Sequence, residues 1–256
     1  MKITQVRNAT LRIEFGGARF LVDPVFADKD TYPGFRGTYR DHLKWPTVDL
    51  PLPLSQILDV DAVIVTHTHE DHWDKAAAEA IRKDIPIFAQ HAEDALLIGK
   101  AGFTSLHILS KDSVFQGVSL IKTPGQHGSD ETLAAIGRRL GEVCGVLFKS
   151  RDEKTLYLAG DTTWNRHVEE TLLNHSPDVV VLNSGDARIP GLGSIIMNKE
   201  DVYEVFKAAP RATLIASHME AVNHAALTRP ELRDYAVRKG MMGRLLVPED
   251  GETLIF

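Results

Sequence analysis

The sequence predicts a single mixed α/β domain over residues 1–256, and three observations predict it. Short apolar runs rich in β-branched residues, such as Ala62-Val63-Ile64-Val65-Thr66, are interleaved with stretches of helical periodicity. A strand, a polar loop and a helix follow one another twice, over residues 62–83 and again over 156–173. No low-complexity linker and no repeat with a period of about 20–50 residues divides the chain.

The elements follow in order. Leu11–Phe15 and Arg19–Asp23 alternate on either side of Gly16-Gly17 and read as a β-hairpin that Asp23-Pro24 ends. From Phe26 to Leu54 the pattern breaks: prolines at 33, 46, 51 and 53 are mixed with Tyr32, Phe35, Tyr39 and Trp45 and with Arg36, Arg40 and Lys44. A loop this long and this aromatic is expected to be an ordered flap near a site. Asp74 caps a helix expected to run to about Lys83; a short strand at 86–89 and a helix at 92–100 follow. His91 and His107 read as ordinary surface or core histidines. Residues 113–123 form a second hairpin around Gly117. Strand 156–159 leads to a helix with Val168, Leu172 and Leu173 on one face, and strand 178–183 leads to the loop Ser184–Gly191. Asn198 caps a helix with Val202, Val205, Phe206 and Ala209 on its apolar face, and Thr228-Arg229-Pro230-Glu231 is a capping box opening the last helix, which ends at Gly240. Strands at 244–247 and 252–256 close the chain.

Composition is that of a globular protein, with 43% hydrophobic and 25% charged residues. A net charge of −6 disfavours a nucleic-acid partner bound through a broad basic face. Cys144 is the only cysteine, so no intrachain disulfide forms, and its apolar surroundings make it a buried structural thiol. No long apolar segment follows Met1, which predicts a cytoplasmic protein without a membrane partner.

The densest chemistry is His67-Thr68-His69-Glu70-Asp71-His72, directly after the buried strand. Three imidazoles and Asp71 within six residues suit divalent metals, because neutral imidazole nitrogen and carboxylate oxygen both ligate zinc and its neighbours. His67 and His69 leave an extended backbone on the same side and can hold one ion, while the adjacent Asp71 and His72 diverge and can serve a second.

This stretch resembles the H-x-H-x-D-H signature of the metallo-β-lactamase superfamily. The resemblance implies a four-layer αββα sandwich of two similar halves, and three further ligands, which His127, Asp161 and His218 supply in order. It implies that His67, His69 and His127 hold one metal, that Asp71, His72 and His218 hold the other, and that Asp161 bridges them. The implied cofactors are two divalent ions, zinc first, with manganese or iron as alternatives. The implied chemistry is attack by a bridging hydroxide, with Asp161 and Asp71 as catalytic residues, Asp71 also as a proton relay. Asp23 is implied to orient a ligand histidine, although a plain turn carboxylate reads equally well.

Asp161 at the bridge departs from class B β-lactamases, which usually carry cysteine or another set at the second metal. Leu21-Val22-Asp23-Pro24, Gly160-Asp161-Thr162 and Pro248-x-x-Gly251 are similar to the ascorbate-6-phosphate lactonase-like branch. The expected function is hydrolysis of a small ester, lactone or phosphoester; the alternative is a phosphodiesterase acting on nucleotides or nucleic acid. A non-enzymatic metal-loaded scaffold is disfavoured by the complete ligand set. Arg188, Tyr39 and Arg40 are expected to bind an anionic small-molecule substrate, since guanidinium pairs with carboxylate or phosphate in a two-pronged geometry. A homo-oligomer is compatible with all of this.

Overall fold

Residue parity along the central strands sorts side chains into separate cores, and this builds the layers. The computed structural model describes all 256 residues, Met1–Phe256. Its strands are β1 (Lys2–Arg7), β2 (Thr10–Phe15), β3 (Ala18–Val22), β4 (Ala62–Val65), β5 (Ile87–Ala89), β6 (Leu106–Ile108), β7 (Ser113–Phe115), β8 (Val118–Pro124), β9 (Cys144–Lys149), β10 (Leu156–Leu158), β11 (Val179–Asn183), β12 (Arg188–Ile189), β13 (Gly193–Ser194), β14 (Thr213–Ser217), β15 (Leu245–Leu246) and β16 (Thr253–Ile255). Its helices are α1 (Leu54–Ile57), α2 (Lys75–Ala80), α3 (Ala92–Gly99), α4 (Asp130–Leu140), α5 (Arg166–His175), α6 (Lys199–Ala208) and α7 (Arg229–Lys239).

One sheet runs β16-β1-β2-β3-β4-β5-β6 and the other β15-β14-β11-β10-β9-β8-β7. Each is mixed: β3 to β6 are parallel in the first, and β10, β11, β14 and β15 in the second. Ile64 of β4, Leu156 and Leu158 of β10, and Val179 and Val181 of β11 meet Phe15, Phe20 and Phe148 between the sheets. The intervening residues Val63 and Val65 pack outward under α2 and α3, and Tyr157, Val180 and Leu182 pack outward under α5, α6 and α7. Strands covered on both faces read as continuous apolar runs. The result is the four-layer αββα sandwich.

Cys144 lies inside the inter-sheet core, where burial pushes its thiol up and leaves it inert. No helix is long and apolar enough to cross a membrane.

The structure corrects several local expectations. Helix α2 stops at Ala80, because Ile81 takes an extended backbone and buries its side chain beside Ile85 and Val63. Leu173 is 69% exposed, being five residues beyond Val168 and so off the face that Val168 and Leu172 share. His91 is no bystander: its ring accepts from Asp94 N–H and caps α3. Among the elements without an expectation are β1, which joins β16 to β2, and α4, which Ser129 caps and in which Ile136 leaves helical geometry.

Segment 26–54 is ordered and anchored from below. The buried Arg7 guanidinium donates to the carbonyls of Val25, Ala27 and Val48. Asp74, besides capping α2 through Ala77 N–H at 2.7 Å, accepts from Phe26 N–H and Ala27 N–H at 3.1 and 2.8 Å. Trp45 is buried between Tyr32 and the stacked ring of Phe35. Replacing Asp74 by alanine removes a cap worth about 0.5–2 kcal/mol and leaves two buried N–H groups unpaired at about 1–3 kcal/mol each. Asp74→Ala is therefore expected to lower the unfolding free energy by about 3 kcal/mol or more in a denaturant titration, and a loss below about 1 kcal/mol would show that the segment is anchored elsewhere.

Candidate metal centre

Every proposed ligand sits just beyond the end of a strand, at one edge of the sandwich. His67, His69, Asp71 and His72 follow β4, His127 follows β8, Asp161 follows β10 and His218 follows β14. Parallel strands deliver their carboxyl ends to a common rim, the usual place for a site in α/β sheets. The turn into Asp161 needs Gly160, which has φ +70° and lies so close to the Cys144 carbonyl that a Cβ would collide with it.

The seven side chains converge. Three groups of ligand atoms each lie within 4.8 Å of one another: His67, His69 and His127; His67, His72 and Asp161; and Asp71, His72 and His218. His67 Nε2 is 3.0 Å from His69 Nδ1, and His72 Nε2 is 3.1 Å from His218 Nε2. Asp161 Oδ2 stands between the outer groups, 3.2 Å from His72 Nε2, 3.7 Å from His127 Nε2 and 3.9 Å from His67 Nε2. Its other oxygen, Oδ1, is 3.8 Å from His218 Nε2 and accepts from Asn183 Nδ2 at 2.6 Å.

The hydrogen bonds around this cluster fix which atoms point inward bare. His127 Nδ1 donates to the Ile195 carbonyl at 2.8 Å, so its Nε2 faces the cluster as a lone pair. His72 Nδ1 donates to Asp23 Oδ2 at 2.9 Å, and Asp23 is itself held by Thr66 N–H and Thr66 Oγ1 at 2.7 Å each. Carboxylate-oriented histidine is the arrangement that supports metal ligation. Imidazole nitrogens facing each other at about 3 Å beside two carboxylates must share a proton or a cation, and a donor set of this composition fits divalent ions.

Proton affinities agree at His67, His127, Asp71 and Asp161, and not at His72. Burial pushes His67 well below its ordinary value and His127 down to about 4. Burial also opposes a charged His72, but Asp161 and Asp23 outweigh it and hold that ring well above the usual range. Burial pushes Asp161 and Asp71 up, yet His72 and His218 together hold both carboxylates below their usual range. Ionised carboxylates and neutral imidazoles are the forms that bind metal. For Asp71 this favours the ligand role over that of a proton relay.

Above the cluster lies a cavity of about 270 Å³. His69, Asp71, His127 and Asp161 form its floor; Phe35, Leu140, Ile189 and Ile195 give an apolar wall; Thr38, Arg139 and His224 add polar groups. A wider groove of about 850 Å³ between α3 and the end of α4 abuts His67 and His69 from the other side.

Residues 18–219 match the model of the β-lactamase superfamily domain. The chain belongs to the β-lactamase superfamily. YddR, a UPF0173 protein of Bacillus subtilis (strain 168), is 47% identical over 257 residues, covering 100% of each chain. The solved isothiocyanate hydrolase from Delia radicum gut bacteria superposes with a TM-score of 0.97 at 47% identity, covering 100% of this chain and 99% of that one. A possible metal-dependent hydrolase from Veillonella parvula DSM 2008 gives a TM-score of 0.97 at 42% identity, covering 99% and 98%. This member of the superfamily is a metal-dependent hydrolase.

The expected substrate residues are placed differently. Arg188 does not line the cavity: its guanidinium is committed to Asp186 at 2.6 Å, and its side chain is 53% exposed. The reason is local, since Asp186 is buried and needs a counter-charge. Tyr39 and Arg40 also lie off the cavity lining, with Arg40 stacked over the Tyr39 ring at 4.7 Å. Arg139 is the guanidinium that does line it, and its Nη2 donates to the Arg36 carbonyl at 2.6 Å, tying α4 to the 26–54 segment. Sequence reasoning gave no role to Arg139, Asn183 or His224. The only signal for His224 is a histidine six residues past the candidate ligand His218, which is weak.

Asp23→Asn removes the charge that orients His72 while keeping side-chain volume. It is expected to weaken metal binding by about 10–100-fold in a chelator competition, with an unchanged circular dichroism spectrum. Unaltered affinity would remove Asp23 from the centre.

Proposed function

We propose that the chain is a two-metal hydrolase of small organic electrophiles, with an isothiocyanate carbon as the leading target. The observation that carries the two-metal reading is the geometry of the ligand groups: two histidine-rich sets, His67/His69/His127 and Asp71/His72/His218, adjoin one shared carboxylate, Asp161. When bound, the ions supply Lewis acidity, which makes water nucleophilic near neutral pH and offsets negative charge as it develops. Zinc is the first candidate, with manganese or iron as alternatives.

The chain's own residues do the rest. Asn183 holds one oxygen of Asp161 and leaves the other turned toward the histidines. Ile195 and Asp23 fix the rings of His127 and His72. Phe35, Leu140, Ile189 and Ile195 exclude bulk water and offer contact to an apolar substituent. The small cavity limits the substrate to a compact molecule. The isothiocyanate class is supported by the apolar wall together with the 47% identity to an isothiocyanate hydrolase across the full chain.

A second reading is hydrolysis of a small anionic ester, lactone or phosphoester, which Arg139 in the lining favours. A phosphodiesterase acting on nucleotides would use the same guanidinium. An isothiocyanate panel assayed beside lactones, neutral esters and bis-p-nitrophenyl phosphate separates these readings. Preferential turnover of isothiocyanates is the expected result, and turnover confined to the phosphodiester would establish the alternative.

Elemental analysis of reconstituted, desalted protein is expected to give close to two divalent ions per chain. A firm stoichiometry of one would overturn the two-metal reading. Asp161→Asn is expected to remain folded, to lose part of its metal and to lose more than about 100-fold in turnover, since loss of a group that merely orients a ligand already costs about 10–100-fold. Full occupancy with near-native turnover would exclude Asp161 from the bridge.

A further inference from the structure

His224 belongs to none of the three ligand groups, yet it lines the same cavity as Asp71, His127 and Asp161. It is 94% buried, with 6% exposure, and its Nδ1 is sealed from solvent without a hydrogen-bond partner. Buried polar atoms in folded proteins are almost always paired, so an orphan at a site calls for a reason.

The backbone around His224 is pinned. Its carbonyl accepts from Arg188 N–H at 3.1 Å, and Ala226 N–H donates to the Gly185 carbonyl at 2.9 Å. The neighbouring Asn223 accepts from Phe35 N–H and donates to Thr38 Oγ1 and the Tyr39 carbonyl. The Phe35 ring meets the imidazole edge-on at 5.0 Å. The backbone is therefore fixed, and the ring packs edge-on against Phe35.

That orientation selects a tautomer. A proton on Nδ1 would be a buried N–H without an acceptor, whereas a proton on Nε2 leaves only an unused lone pair on the sealed side. Burial also pushes the ring down to about 4, which keeps it neutral at pH 7. Of the two ring nitrogens only Nδ1 is sealed and unpaired, and the residue lines the cavity, which assigns the Nε2–H to the cavity side.

We propose that His224 is a catalytic residue whose Nε2–H donates a hydrogen bond to the substrate heteroatom that gains negative charge during water attack. The proposal rests on the hydrolase reading above. For an isothiocyanate, the water oxygen bonds to the central carbon, and the π pair of the C=N bond moves to nitrogen. Nitrogen gains one proton and water loses one, giving a thiocarbamic acid with no change of oxidation state. A fixed donor placed where charge appears stabilises the transition state more than the ground state.

The test uses the zinc-loaded enzyme. His224→Phe keeps an aromatic ring without a donor, and His224→Gln keeps an N–H donor. His224→Phe is expected to lower kcat by about 100-fold or more, with KM changed less than about threefold and two ions still bound, while His224→Gln recovers part of the loss. Native kcat in His224→Phe, or loss of an ion from either variant, would overturn the assignment. A second measurement is independent of turnover: ¹⁵N-histidine spectra of the wild-type protein are expected to show His224 as the Nε2–H tautomer, with that signal shifting on addition of thiocyanate. An Nδ1–H tautomer, or no response to thiocyanate, would equally overturn it. Absence of wild-type turnover across the substrate panel would count against the hydrolase reading alone, and the spectra would still decide the donor.

Discussion

The structure depends on one electrostatic constraint: five histidines and two carboxylates must point inward at a rim where two sheets meet. Ring nitrogens such as His72 Nε2 and His218 Nε2 stand 3.1 Å apart and must share either a proton or a cation. The fold fixes three of these side chains, His72, His127 and Asp161, from behind through outward partners. Asp23 and the Ile195 carbonyl hold imidazoles, and Asn183 holds Asp161. The supporting shell comes from strands and their immediate ends, which the double-faced apolar packing makes rigid. His218 itself adopts φ 56° and Asp23 φ 46°, left-handed conformations uncommon outside glycine though better tolerated by Asp and His than by most residues.

The candidate metal cluster was legible in the sequence because four of its residues crowd into six positions after a continuous apolar strand. The other three stand immediately beyond recognisable strands. The hairpins, the cap at Asn198, the capping box at Thr228 and the C-terminal strands were legible for the same reason: each is specified by neighbours a few residues apart. The resemblance supplied the four-layer arrangement, which periodicity alone left as a mixed α/β domain.

The cavity lining was not legible, because it is assembled from segments far apart in the chain. Arg188 looked suited to an anion in its proline- and glycine-framed loop, but its partner is two residues away at Asp186. Arg139 sits in a helix that was not anticipated, and it enters the site only because α4 ends against the carbonyl of Arg36. His224 carries no motif, and its importance lies in what fails to bond it. Helix length erred at α2 because burial of Ile81 outweighed helical continuation.

Asn8, in the turn between β1 and β2, touches two candidate ligands of one group that the two different sheets deliver. Its side chain donates to the Asp71 carbonyl at 2.7 Å, and its own carbonyl accepts from His218 N–H at 3.0 Å. The spacing of those two ligands is thus tied to the way one sheet rests on the other. Affinity for an ion and cohesion of the sandwich become a single thermodynamic quantity by mass action. An ion that binds only the native state at about 100 times its dissociation constant adds about 2.7 kcal/mol to stability. By the same linkage, a substitution deep between the sheets that alters their spacing weakens ion binding without touching a ligand, and the melting temperature rises with free ion concentration.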